Sequence, residues 1–231
     1  MIMPNLIVSE AGGAKTGKTH LAFTFPEPIV VFSFDIGQEP VLAKFPDKDI
    51  KVIPYIIPLY ETVRAVGMKK DISNLWAEFS ADFKDAADKP TVKTLIVDTA
   101  TALYEICRIG RSGELGRELA PIEYGDVYLR MKALIHRARI TGQNLVLTHY
   151  LKDIYVGDKP TGEKALDGWR HTEGEVDVVL TTRREVKVVG QKKENVIITT
   201  IKDNRYDLAL NGLESINMTY DDLITLLGVG G

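Results

Sequence analysis

A single cysteine, Cys107, in 231 residues leaves no partner for an internal disulfide, which excludes the stapled scaffolds of small secreted proteins. No apolar run approaches the roughly 20 residues that span a bilayer. The amino terminus MIMPNLIVSE has neither the basic n-region nor the long apolar h-region of a signal peptide. A protein of the reducing cytoplasm with no membrane contact is expected. Internal repeats, low-complexity tracts and linker-like stretches are also missing, so residues 1–231 are expected to form one domain. Nor is there an excess of positive charge: 29 Lys and Arg against 32 Asp and Glu give a net charge of −3. That excludes a strongly basic nucleic-acid coat. What is present, 45% hydrophobic and 26% charged residues, is ordinary globular composition and excludes a disordered chain.

The charge is uneven along the chain. Residues 1–126 carry 14 cations against 18 anions, residues 127–205 carry 15 against 10, and the tail from Tyr206 carries none against 4. A basic surface in the second half can hold a phosphate backbone although the whole is acidic; a solvated face of mixed charge would give the same count.

Short apolar runs alternate with helical patterns, the signature of a mostly parallel sheet covered by helices. The runs are Asn5 to Ser9, Ile29 to Phe34, Val52 to Ile57, Thr94 to Val97 and Asn144 to Thr148. Between them, Leu75, Trp76, Phe79 and Phe83 share one helical face, as do Val127, Met131, Leu134, Ile135 and Ala138. Leu151 to Thr172 is rich in Gly, Lys and Asp without a sustained apolar period and reads as a long mobile loop. Val176 to Val189 and Asn195 to Lys202 read as antiparallel strands joined by the turn Gly190 to Glu194. Thr219 and Asp222 open a final helix with a capping box. The fold class expected is α/β, a mostly parallel sheet flanked by helices with antiparallel strands near the carboxyl end.

Residues 12–19 read Gly12-Gly13-Ala14-Lys15-Thr16-Gly17-Lys18-Thr19, an unbroken match to GxxxxGKT between an apolar strand and the helical stretch from His20 to Phe25. Small residues there let successive backbone N–H groups converge on a phosphate. Lys18 would reach the β- and γ-phosphates of ATP and the Thr19 hydroxyl would ligate Mg²⁺. A glycine-rich turn that binds nothing is the bland alternative, and the strand-motif-helix order argues against it. Lys15 reads as a solvent-facing charge.

Such a loop needs an acidic partner for the magnesium, and Asp98 ends the apolar run Thr94-Leu95-Ile96-Val97; the same residue could simply cap the next helix. Asp35 and Glu39 follow the run Ile29 to Phe34 and are candidates to orient the attacking water, Asp35 being preferred for its place at a strand end. Thr148 and His149 end the next run and are candidates to sense the γ-phosphate; a locally bonded structural histidine is the competing reading.

In order, these features resemble the RecA-type recombinase core, and more closely its short phage relatives, the single-strand annealing ATPases and phage nucleotide-binding proteins. The similarity runs from about Pro4 to Arg205. It implies a RecA-like P-loop fold, ATP and Mg²⁺ as cofactors, and single-stranded DNA as a partner, with a further copy of the chain and a single-stranded-DNA-binding protein as others. The family bears a catalytic glutamate where VFSFDIGQEP offers Asp35. Arg111 to Tyr124, with Arg111 and Arg117, matches a first DNA loop, and Tyr128 to Arg139 the helix after it. Leu151 to Thr172, with Lys152, Lys159, Lys164, Trp169 and Arg170, matches a second. Lys202 and Arg205 fall where relatives insert cations across a subunit interface. The first strand starts almost at residue 4, so the amino-terminal arm of recombinase filaments is not expected.

The residues support the second loop reading on their own terms, since cations can pair with phosphates and a tryptophan can stack an unpaired base. A lid over the nucleotide, with the tryptophan as packing anchor, fits the same residues. The expected function is a Mg²⁺-dependent ATPase that binds single-stranded DNA and assists phage-type recombination or annealing, in the cytoplasm of a bacterial host. The alternatives are a P-loop nucleoside or nucleotide kinase and a non-catalytic nucleotide-binding module.

Overall fold

The five apolar runs become adjacent strands: β1 (Ile7–Gly12), β2 (Ile29–Ser33), β3 (Ile50–Pro54), β4 (Thr94–Asp98) and β5 (Asn144–His149). All pair in parallel. β1, β2, β4 and β5 are buried along their whole length, which is why they read as continuous apolar runs rather than as alternation. The structure is a computed structural model that describes residues 5–58, 66–189 and 192–229.

Helices cross over between the strands: α1 (Lys18–Phe23), α2 (Glu39–Leu42), α3 (Val66–Ala87), α4 (Ala100–Leu115) and α5 (Tyr124–Thr141). One face of the sheet packs on α3, α4 and α5, where Phe32 meets Phe79 edge-on at 5.5 Å between ring centroids and Val127, Met131, Leu134, Ile135 and Ala138 are all buried. The other face carries α1 and the carboxyl-terminal helix α7 (Tyr220–Leu226), with Leu21, Phe23, Leu223 and Ile224 in its core. α7 starts at the expected capping box: the Thr219 N–H donates to Asp222 Oδ2 at 2.9 Å and the Asp222 N–H to Thr219 Oγ1 at 3.3 Å.

Beyond β5 come β6 (Leu151–Val156), β7 (Lys159–Leu166), the short α6 (Thr172–Glu175), β8 (Val178–Val189), β9 (Lys192–Asn204) and β10 (Glu214–Ile216). The main sheet has the order β10-β9-β8-β1-β5-β4-β2-β3. β8 is parallel to β1, and β9 and β10 complete the expected antiparallel end. Only β8 residues 178–182 pair with β1 and only β9 residues 198–200 with β10, so Arg183 to Val189 and Lys192 to Ile197 continue as a two-stranded ribbon past the carboxyl edge of the sheet. Gly190, which opens the expected turn, lies outside the described residues.

Two expected loops are ordered elements. Leu151 to Leu166 is not a loop but the separate hairpin β6–β7, turned at Gly157-Asp158 with Gly157 at φ 62°, a conformation that glycine adopts without strain. Its residues are mostly exposed on both faces, so no apolar alternation marks it. Arg111 to Tyr124 is largely helical as well: α4 runs to Leu115, a 3-10 turn covers Pro121–Glu123, and α5 starts at Tyr124.

Candidate functional site

The strand order creates the site. With β5 lying between β1 and β4, the carboxyl end of β5 stands between the glycine-rich loop that leaves β1 and the aspartate that ends β4. Four polar groups converge on Asp98: Thr148 Oγ1 donates to Oδ1 at 2.5 Å, while Thr19 Oγ1 at 3.0 Å and Gln38 Nε2 at 2.9 Å donate to Oδ2, and Lys18 adds its charge from the loop. Asp98 is 3% exposed, so these donors replace the water that it gives up.

The loop needs glycine at two places. At Gly12 a Cβ would stand 2.3 Å from Thr182 Oγ1 and 2.7 Å from the Thr182 carbonyl, so β8 presses on the loop's first residue. Gly17 has φ +95° and a Cβ there would stand 2.3 Å from Ile197 Cδ1. Lys18 Nζ donates to the carbonyls of Gly12 at 3.1 Å and Gly13 at 2.7 Å, folded back into its own loop. Burial lowers the lysine's pKa, and Glu10, Asp98 and Asp35 pull it back up.

A cavity of 510 Å³ opens above the loop, lined by Ala14, Lys15, Thr16, Gly17, Lys18, Thr19 and His20 on one side and by Asp35, Pro40, Lys44, Asp98, Tyr150, Arg184 and Ile197 around it. That space suits a nucleoside triphosphate. Thr19 and Asp98 are hard oxygen donors of the kind Mg²⁺ takes, one hydroxyl and one carboxylate, the rest of its shell coming from phosphate and water. Among the described residues no group of three or more His, Cys, Asp or Glu side chains could hold a metal unaided. The donor set therefore fits a magnesium ion that arrives with the nucleotide.

The other expected site residues divide. Asp35 lines the cavity and accepts a hydrogen bond from Tyr150 Oη at 2.6 Å. Glu39 sits in the first turn of α2 and lines a smaller neighbouring cavity, away from the loop. His20 packs its ring 5.0 Å from Phe45, and burial, then Lys44, lowers its pKa. His149 is a correction: its side chain is fully buried against Gly168 on the face of the sheet opposite to Thr148. Burial pushes its pKa down to about 3, against the opposing pull of the Asp167 backbone, so it is a neutral core group, and of the two residues that end β5 it is Thr148 that reaches the Asp98 carboxylate.

The residues assigned to DNA divide as well. Trp169 is 2% exposed and packs on Tyr128 and His171, so it is an anchor with no face free to stack a base. Arg111 pairs with Glu114 and Asp126, and Arg117 with Glu123. Lys152 pairs with Asp167 and Lys164 with Asp153, and residues 151–166 hold Lys152, Lys159 and Lys164 against Asp153, Asp158 and Glu163, a balance of zero. Lys159 is exposed beside the hairpin turn. Arg170 is exposed and lies 6.0 Å from the Tyr128 ring. Lys202 is held by Glu173, and Arg205 by the Gly174 carbonyl and Asp177 near the amino end of β8, the sheet edge opposite to the glycine-rich loop.

Sequence reasoning missed four residues. Tyr150 follows β5, Gln38 precedes α2, and Arg184 reaches the cavity from the ribbon. Glu10, on β1, is fully buried with neither carboxylate oxygen hydrogen-bonded, and burial raises its pKa well above 4.5 while Lys18 opposes. An acidic residue inside the apolar run Ile7-Val8-Ser9-Glu10-Ala11 was the signal for it.

The sequence profile of the family described as an AAA domain matches residues 6–207. The chain belongs to that family. No curated protein sequence matches it. Family membership and the site together make it a P-loop nucleotide-binding protein of ATPase type. Among the described residues no helix is long and apolar enough to cross a membrane.

Proposed function

We propose that the chain is a Mg²⁺-dependent ATPase that binds single-stranded DNA and assists phage-type recombination or strand annealing. The observation that carries the ATPase reading is the convergence of Thr19 and Thr148 on the two oxygens of Asp98, beside Lys18. Thr19 and Asp98 would hold Mg²⁺, which would supply charge neutralisation at the phosphates. The loop amides and Lys18 bind the phosphates, once Lys18 leaves the carbonyls of Gly12 and Gly13. Thr148 and Gln38 hold the Asp98 carboxylate in one orientation, and Asp35 orients the attacking water from across the cavity.

Support for DNA binding comes from the ribbon rather than from Trp169. Residues 183–197 hold Arg183, Arg184, Lys187, Lys192 and Lys193 against Glu185 and Glu194, a net charge of +3, of which Arg183 is paired with Glu185 and with Glu214 of β10. The ribbon rises beside the cavity, with Arg184 and Ile197 lining it, so a phosphate backbone on the ribbon would lie next to the nucleotide. The kinase alternative fits less well, because Leu151 to Thr172 contains one arginine, Arg170, which lies over the Tyr128 ring and does not line the nucleotide cavity.

ATP turnover measured with and without single-stranded oligonucleotide tests this function. Stimulation by the oligonucleotide supports it. Phosphate transfer to a nucleoside acceptor would establish the kinase, and tight ATP binding without turnover the non-catalytic module.

A further inference from the structure

Asp35 is not alone at its place in the cavity. Tyr150 Oη donates to Asp35 Oδ2 at 2.6 Å. The ring of the same tyrosine lies 4.8 Å from Lys18 Nζ, the ammonium group that meets the terminal phosphates. One side chain therefore spans the distance between the carboxylate and the phosphate-binding lysine. Its backbone is pinned on both sides: the Tyr150 N–H donates to Thr101 Oγ1 at 3.0 Å, and its carbonyl accepts from the Asp167 N–H at 2.9 Å.

We propose that Tyr150 is a catalytic residue of the hydrolytic step, its hydroxyl passing the proton of the attacking water to Asp35. This rests on the reading of Asp35 as the water-orienting carboxylate. The water's O–H bond breaks as the Tyr150 oxygen takes that proton, and the Tyr150 proton moves to Asp35 Oδ2. The water oxygen bonds to the γ-phosphorus, and the bond from that phosphorus to the β–γ bridging oxygen breaks, its electron pair leaving with ADP. Asp35 is exposed and returns the proton to solvent. Burial and then the bond to Asp35 push the phenol pKa up to about 12, so the hydroxyl stays protonated and keeps its donor role between turnovers.

Tyr150→Phe isolates the hydroxyl, because the ring that faces Lys18 remains. With Mg²⁺ and ATP, kcat is expected to fall by about 10²-fold, the lower range for loss of a proton-transferring group. ATP affinity, read by calorimetry, is expected to stay unchanged. Adding Asp35→Glu to Tyr150→Phe lengthens the carboxylate by one bond of roughly 1.5 Å and is expected to restore part of the rate. Unchanged or raised kcat in Tyr150→Phe would overturn the proposal, the raised rate making the tyrosine a cover over Asp35. So would a loss that the longer carboxylate does not repair. Asp35→Asn run in parallel separates the layers: if it turns over normally, the carboxylate reading beneath the relay fails, whereas a defect in Asp35→Asn alone removes only the tyrosine.

Discussion

Thr148 Oγ1 and Asp98 Oδ1 lie 2.5 Å apart although 50 residues separate them in the chain, because β5 is inserted beside β4 at the mouth of the site. Thr148→Val keeps the shape and removes the donor from a buried carboxylate. The expected cost is about 1–3 kcal/mol of folding stability. Urea denaturation gives that number, and ATP titrations at several magnesium concentrations are expected to show a weakened dependence on the metal.

Glu10 gives the protein a pH-dependent stability. Its folded pKa is raised above 4.5 by burial, so the folded state binds more protons than the unfolded chain between 4.5 and the raised value, and stability falls as pH rises through that window. Glu10→Gln carries no proton to lose. The variant and the wild type are expected to match near the acid end and to diverge as pH rises, with the variant the more stable. Denaturant midpoints at a series of pH values check the divergence, and parallel curves would contradict it.

Much of this architecture can be read in the sequence. The strands β1, β2, β4 and β5 are buried on both faces, which leaves continuous apolar runs, and the GxxxxGKT loop is contiguous. The partners of Asp98 cannot be read that way. Gln38 and Thr148 reach it only through strand adjacency: the end of an apolar run marks Thr148 as a candidate but not as a partner of Asp98, and nothing local marks Gln38. The hairpin β6–β7 escaped because polar residues face solvent on both of its sides, although Gly157-Asp158 between Val156 and Lys159 is a recognisable two-residue turn signal. Trp169 misled for the opposite reason: it sits among charged residues in sequence and inside the core in space.

Trp169→Ala is accordingly expected to act on the fold. Truncating a buried tryptophan costs about 3–5 kcal/mol. Thermal denaturation should show that loss, while oligonucleotide affinity of the folded fraction is expected to be unchanged. A stable variant with weakened DNA binding would return the residue to the DNA surface.

The ribbon makes the matching prediction. Lys193 is exposed there and Lys187 half-exposed, and neither lines the nucleotide cavity. Replacing both with alanine is expected to flatten the salt dependence of single-strand binding by about 0.7 in log–log slope for each phosphate that is no longer neutralised, leaving ATP affinity unchanged. Fluorescence-anisotropy titrations over a range of salt concentrations measure the slope, and an unaltered slope would place the DNA elsewhere.

The ATPase reading depends on Lys18 and its loop taking the phosphates of a nucleotide. Calorimetric titration of ATP with Mg²⁺ into the wild type and into Lys18→Ala measures this directly. The account predicts saturable binding to the wild type, and severe weakening in a variant whose circular dichroism is unchanged, since the substitution deletes a charge that pairs with phosphate. Equal ATP affinity in the two correctly folded proteins would contradict it.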